Sequence, residues 1–186
     1  MLLRDGGPSF EVLMVARNPA GRIMGGVWAF PGGAVEAADG HDEGRFRTAA
    51  VRELAEETGI TGVSEDALVP FARWIAPPSL RHRFDTHFFL ARSPAGREPV
   101  IDGVECVDAV WTSPAGALAQ EHAGAIALLF PTRTQLQRAA AHASLDALLA
   151  AAAASAVETV RPRLRRPGDP GDALLPGDPG YETATG

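Results

Sequence analysis

Residues 31–60 restrict the local shape of this chain more than any other stretch. Pro31-Gly32-Gly33 closes an aromatic-bearing apolar run, and RELAEETGI (52–60) ends a segment with helical spacing. From about Glu43 to Thr58, the residues Phe46, Ala50 and Leu54 recur at i, i+4 and i+8, the period of one helix face. Gly59 stands where a helix-terminating glycine belongs. At about 100° per residue, Glu53, Glu56 and Glu57 fall within an arc of roughly 100°. Three carboxylates on one edge repel each other, so that edge is unfavourable unless cations meet it. Glutamate pairs are also common on solvated helix faces, and a Pro-Gly-Gly turn alone is an ordinary tight turn. Together they suggest more. Glycine lets backbone approach a ligand closely, and hard carboxylate oxygens on a rigid helix suit Mg²⁺ held against a phosphate.

The rest of the chain mixes strands and helices around this segment. FEVLMVA (10–16), GGVWAF (25–30), ALVPFARWIA (67–76), DTHFFLAR (85–92) and VECVDAVW (104–111) are expected strands. Ser113-Pro114 opens a short helix, with serine as cap and proline in the first turn. Beyond Gly124, IALLF, TQLQRAAAHA and SLDALLAAAAASAVE are expected to give two or three Ala-rich helices packed on the rest. The tail RPGDPGDALLPGDPGYETATG has the Pro and Gly density of a disordered segment, although Leu174-Leu175 and Tyr181 would be odd in one. The expected class is α/β (α+β): a core over 1–124, a helical extension of the same domain over 125–160, and a Pro/Gly-rich terminal segment over 161–186.

Composition narrows the partners. A chain of 186 residues is the size of one domain, and a net charge of −6 gives no basic footprint for nucleic acid. Any phosphate it handles is expected on a small molecule. Cys106 is the only cysteine, which excludes an internal disulfide and fits a reducing compartment. No apolar run approaches the roughly 20 residues of a membrane span, and MLLRDGG lacks the apolar core of a signal peptide. A cytoplasmic location without a membrane partner is expected; a homodimer is left open.

FPGG, an acid, then REL-x-EE-x-GI resembles the Nudix box, G-x5-E-x7-R-E-U-x-E-E-x-G-U, where U is a bulky aliphatic. The second half matches at each fixed position: Arg52, Glu53, Leu54, Glu56, Glu57, Gly59 and Ile60. Five residues lead from Gly33 to Asp39, but twelve rather than seven separate Asp39 from Arg52. The box is stretched by five, which leaves Glu36, Asp39 and Glu43 as alternatives for the loop acid. The polar, glycine-led GHDE (40–43) is expected to extend the loop rather than the helix. FARWIAPPSLRHRFDTHFFLA, the E-x5-W in ECVDAVW, LFPTRTQL and LLPGDPGY further resemble the branch of peroxisomal coenzyme A diphosphatases and their bacterial relatives.

That resemblance implies a Nudix fold, a mixed β-sheet between helices, with the tail folded back. It implies a diphosphatase (pyrophosphatase) acting on a nucleoside diphosphate derivative, with coenzyme A or acyl-CoA as the first substrate to consider. ADP-ribose, a dinucleoside polyphosphate or an oxidised nucleotide are alternatives, as is a non-catalytic nucleotide-binding domain. Glu53, Glu56 and Glu57 become ligands of Mg²⁺ or Mn²⁺, Gly32 and Gly33 the substrate turn, and Arg52 a residue that orients the acids by an i, i+4 pair with Glu56. Glu105 is a candidate further acid, as ligand or general base. Arg81 and Arg83 are candidates for the 3′-phosphate of coenzyme A: if Arg83, Asp85 and His87 alternate on one strand face they meet an anionic substrate group, and solvated charges at a strand edge are the equal alternative. Cys106, His122, His142, Trp28, Trp74 and Trp111 are expected to be structural.

Overall fold

The computed structural model describes residues 1–7, 9–21, 25–80, 83–157, 159–166 and 173–184. Arg81 lies outside the described residues.

The apolar run 10–16 forms the centre of β2 (Ser9–Arg17), in which Val12 through Ala16 are all buried. A strand covered on both faces reads as a continuous apolar run rather than an alternating one. Leu3, Val12 and Met14 pack with Leu90, Leu136, Leu145 and Leu148, whereas Leu2 and Leu13 pack with Leu54, Ile60 and Leu68. Successive residues of a strand thus feed opposite layers. The first layer lies under α2 (Pro114–His122), α3 (Phe130–Ala140) and α4 (Leu145–Ala154), the second under α1 (Arg45–Thr58). The sheet therefore sits between helices, as expected.

Among the described residues, the sheet runs β3 (Trp28–Ala29), β2, β1 (Leu2–Gly6), β5 (Asp85–Arg92), β4 (Val69–Ile75), β7 (Thr159–Val160), and β6 (Cys106–Thr112) also pairs with β2. Val12 pairs with both Leu3 and Thr112, and Val15 with both Ala29 and Ala109, so β1 and β3 share one edge of β2 and β6 takes the other. The β1–β5 and β4–β7 pairs are parallel and the other pairs antiparallel, which makes the sheet mixed.

Several local expectations change. β1 was not expected; its short span ends in Arg4, Asp5 and Gly6 and shows no period. The run 25–30 shortens to Trp28–Ala29. Residues 126–129 of IALLF are not helical: Leu128 forms a parallel bridge with Trp28, and α3 begins at Phe130 with Pro131 in its first turn. Ser113 caps α2 by accepting the Gly116 N–H at 3.0 Å. The tail folds back through β8 (Arg163–Leu164) and β9 (Ala173–Leu174), with Leu164 and Leu174 buried and the Tyr181 hydroxyl donating to the Arg161 carbonyl at 2.7 Å.

Residues 40–44 lie between a single 3-10 turn, Ala37–Asp39, and the start of α1, so the extra length extends the loop. Helix α1 stops at Gly59, whose φ of 66° is left-handed and whose N–H donates to the Ala55 carbonyl at 2.9 Å.

Leu148 on α4 is fully buried against the sheet. Leu148→Ala is expected to cost about 3 kcal/mol. It should shift one denaturant transition equally by far-ultraviolet circular dichroism and by tryptophan fluorescence. A transition that splits in two would separate the helices beyond residue 125 from the core.

Candidate active site

Of the three acids in the stretched loop, Asp39 is the one that Arg52 is seen to hold. It is buried, and it accepts twice from Arg52: Oδ1 from Nε at 2.9 Å and Oδ2 from Nη2 at 3.0 Å. Oδ2 also accepts the Glu36 N–H at 2.7 Å. The same guanidinium donates to Glu53 Oε1 at 2.9 Å, Glu56 Oε2 at 2.8 Å and the Ala34 carbonyl at 3.0 Å. The hydrogen bonds from Arg52, then from the Glu36 N–H, hold the Asp39 carboxyl below its usual range, and Asp39 leads the contacts that raise Arg52. The expected i, i+4 pair with Glu56 is present, but the two-pronged partner of Arg52 is Asp39.

The glycine turn meets the helix edge directly. Glu57 Oε2 accepts the Gly32 N–H at 2.9 Å. A Cβ on Gly33 would stand 2.4 Å from Glu53 Oε1, so a side chain there must displace the carboxylate. Glu57 is 3% exposed, and burial pushes its carboxyl up to about 7. Burial also raises Glu53. Glu56 faces outward, its side chain 58% exposed.

Glu53, Glu56 and Glu57 line a recess of about 200 Å³ together with Asp102, Val104 and Glu105. Glu105 immediately precedes β6 rather than lying within a strand, and its side chain is 63% exposed. Asp102 accepts the N–H groups of Val104, Glu105 and Cys106 at 3.1–3.3 Å, which fixes the turn presenting Glu105. Arg17, the last residue of β2, reaches the same place: Nη1 is 3.4 Å from Glu57 Oε1 and Nη2 is 4.0 Å from Glu105 Oε2. Neither Arg17 nor Asp102 was singled out in the sequence. The available signals were a charge closing an apolar strand and an Asp two residues ahead of one. Cys106 is buried beside Glu57 and its thiol is pushed up to about 12 by burial, which suits a core residue and not a nucleophile.

Arg83 is exposed and precedes β5, so the expected alternation of Arg83, Asp85 and His87 on one strand does not occur. Asp85 is held by Arg73 at 2.8 and 2.6 Å, and His87 stacks on Phe46 of α1 at 3.8 Å. Arg83, Asp85 and His87 are not among the residues lining the recess. Trp74 is buried, and Trp28 and Trp111 pack against the two core clusters.

Among the described residues, no group of three or more His, Cys, Asp or Glu is gathered closely enough to hold one ion. The acids are divided between two arginines, Arg52 with Glu53 and Glu56, Arg17 with Glu57 and Glu105. The donor chemistry still fits a hard divalent cation. Four glutamate carboxylates face one recess, and two of them have lost hydration that a cation would replace.

A mixed sheet that carries a glycine turn against a glutamate-bearing helix is a Nudix-type scaffold. A family model described as the NUDIX domain matches residues 1–131, and the chain belongs to that family. A Caenorhabditis elegans protein that carries the name nudix hydrolase 7 is 28% identical over 164 residues, covering 69% of this chain and 55% of that protein. The chain thus spans about half the length of this relative. The NUDIX hydrolase from Alicyclobacillus acidocaldarius superposes with a TM-score of 0.73 at 24% identity, over 80% of this chain and 92% of the other. The NUDIX domain of Shewanella oneidensis NrtR, solved in complex with ADP ribose, gives 0.56 at 20% identity over 75% and 82%. The fold is the Nudix fold that the motif implied.

Glu57 gives the metal-free protein a pH dependence of definite sign. Its carboxyl titrates near 7 in the folded chain against 4.5 ordinarily, so the folded state holds the proton more tightly between those values. In EDTA, stability is expected to fall by up to a few kcal/mol as pH rises from about 4.5 to about 7. Glu53, raised by burial as well, adds to the same slope. Asp39 acts oppositely, its contribution being lost only as pH falls below 3.8 and through its lowered folded value. Denaturant midpoints across this range test the effect, and Glu57→Gln should flatten the slope. An unaltered slope in that variant would show that Glu57 is not its source.

Proposed function

We propose that this chain is a metal-dependent Nudix hydrolase that cleaves the diphosphate linkage of a nucleoside diphosphate derivative. The observation that carries the reading is the recess walled by Glu53, Glu56, Glu57 and Glu105, with Glu53 and Glu57 buried against the glycine turn. Glu53, Glu56 and Glu57 would hold Mg²⁺ or Mn²⁺, which when bound neutralises diphosphate charge and acidifies water. Arg52 positions Glu53 and Glu56, and Gly32 fixes Glu57 through its N–H. Glu105, the more exposed acid of the Arg17 pair, accepts the proton of the attacking water at its carboxylate. Attack on one phosphorus breaks the bridging P–O bond and leaves two phosphate-bearing products. A cytoplasmic setting is part of the same reading, through the single buried thiol of Cys106.

Coenzyme A or an acyl-CoA is the first substrate to test, on the strength of the motifs outside the box. ADP-ribose is the second, since the NrtR domain that shares this fold was solved with ADP ribose. The deciding experiment is a nucleotide panel with Mg²⁺ and with EDTA, read as release of phosphate-bearing products. Mg²⁺-independent binding without turnover of any member would favour a non-catalytic nucleotide-binding domain.

Glu56→Gln and Glu57→Gln are each expected to lower kcat on the best panel substrate on the order of a hundredfold or more, several kcal/mol of charge stabilisation. Circular dichroism should remain unchanged, and the metal-free midpoint should hold or rise because one crowded charge is gone. Near-normal turnover of both variants at saturating Mg²⁺ would remove these residues from the site.

Arg83 tests the coenzyme A reading separately. Losing a charge-assisted hydrogen bond costs about 1.5–3 kcal/mol, roughly tenfold to a hundredfold in specificity. Arg83→Ala is therefore expected to lower kcat/KM for coenzyme A by that factor and to spare 3′-dephospho-coenzyme A. Equal losses on the two substrates would rule out contact between this arginine and the 3′-phosphate.

A further inference from the structure

We infer that Arg17 serves as an internal counter-ion for Glu57 and Glu105 and competes with a divalent cation for their charge. This rests on the metal-dependent reading above.

The two arginines at the site are held very differently. Arg52 donates to three carboxylates and a carbonyl at 2.8–3.0 Å. Arg17 spans two acids from different elements and makes no such tight pair. Its Nη1 is 3.4 Å from Glu57 Oε1 and 3.5 Å from the Gly32 carbonyl, and its Nη2 is 4.0 Å from Glu105 Oε2. Charge-assisted N–H···O bonds usually fall near 2.7–2.9 Å. Arg17 therefore balances charge at this point without locking either carboxylate.

Its backbone, in contrast, is fixed. The Arg17 N–H donates to the Val27 carbonyl at 3.0 Å, and its own carbonyl accepts the Gly26 N–H at 3.1 Å. It faces Cys106 across a register shift between Ala16 and Arg17. The Cα is set by the sheet, while the guanidinium is a quarter exposed and makes only long contacts to the two acids. Glu57 Oε2 is held separately by the Gly32 N–H. Bringing a cation to the recess thus places a second positive charge near Glu57 and Glu105, where Arg17 already supplies one. Such a charge costs affinity even when it does not occupy the metal's own position.

The test is Mn²⁺ binding without nucleotide, by calorimetry at fixed pH and ionic strength, for the wild-type chain, Arg17→Gln, Arg17→Met and Arg17→Lys. The neutral variants are expected to bind Mn²⁺ about tenfold more tightly than wild type. Arg17→Lys, which keeps the charge, should stay within about threefold of it. Thermal midpoints should show the complementary pattern: a lower value in EDTA for the neutral variants, and a larger gain on adding Mn²⁺. Neutral variants that bind Mn²⁺ equally or more weakly would overturn the inference, since an arginine that merely organises the acids gives that result. A gain for Arg17→Lys as large as for Arg17→Gln would also overturn it, because charge would then not be the cause. Failure of the wild-type chain to bind Mn²⁺ is a different result and would remove the metal-dependent reading itself, and this inference with it.

Discussion

The guanidinium of Arg52 is the point on which loop, glycine turn and helix edge depend. Asp39 and Glu53, both buried, cannot be held beside each other and the exposed Glu56 without a cation among them. A planar head with five N–H donors can serve three carboxylates and the Ala34 carbonyl at once, where a lysine would supply three donors from a single point. One side chain thereby joins the segment after Gly33, the 3-10 turn at Ala37–Asp39 and the middle of α1. The inserted residues 40–44 lie between two parts of this clamp, Asp39 behind and α1 ahead. Loop length can vary there while the geometry on either side persists, which is how the box tolerates its stretched spacing.

The same arrangement sets chemistry against stability. Glu53 and Glu57 lie on the inner side of the edge, and their burial makes the charged form costly; Glu56, one position away, keeps its water. A fold seeking stability alone would place apolar side chains at both inner positions. The absence of a side chain at Gly33 leaves the place that the Glu53 carboxylate occupies. Sites that store such unfavourable charge are where ligand binding can be coupled most strongly to folding.

How much of this could be read in advance follows from the range of each interaction. Helix α1 and its stop at Gly59 are local, a 3.6-residue period and a left-handed cap, and both were legible. So were the three glutamates, since one helix edge is itself a geometric statement. Asp39 could not be ranked against Glu36 and Glu43, because a loop without a period carries no directional information. Arg17 was hard to place for another reason: the register of β2 against β6, not sequence spacing, brings it to Glu57 and Glu105. Arg83 does not share the alternation of Asp85 and His87, because it stands two residues before β5 begins. β1 was missed because its pairing with β2 and β5, rather than any pattern of its own, makes it a strand.

The two-residue strand β7 carries a consequence for behaviour in a crowded solution. It pairs in parallel with the outer side of β4, matching Thr159 to Arg73 and Val160 to Trp74. An uncovered strand flank is a template on which another polypeptide can continue the sheet. Here the chain's own return segment occupies part of that flank, with the β8–β9 hairpin following within a few residues. A foreign strand would have to peel β7 away before it could add along the same stretch. So short an element contributes little to the core, yet it occupies the hydrogen-bonding flank of β4 at Arg73 and Trp74 that another strand would need.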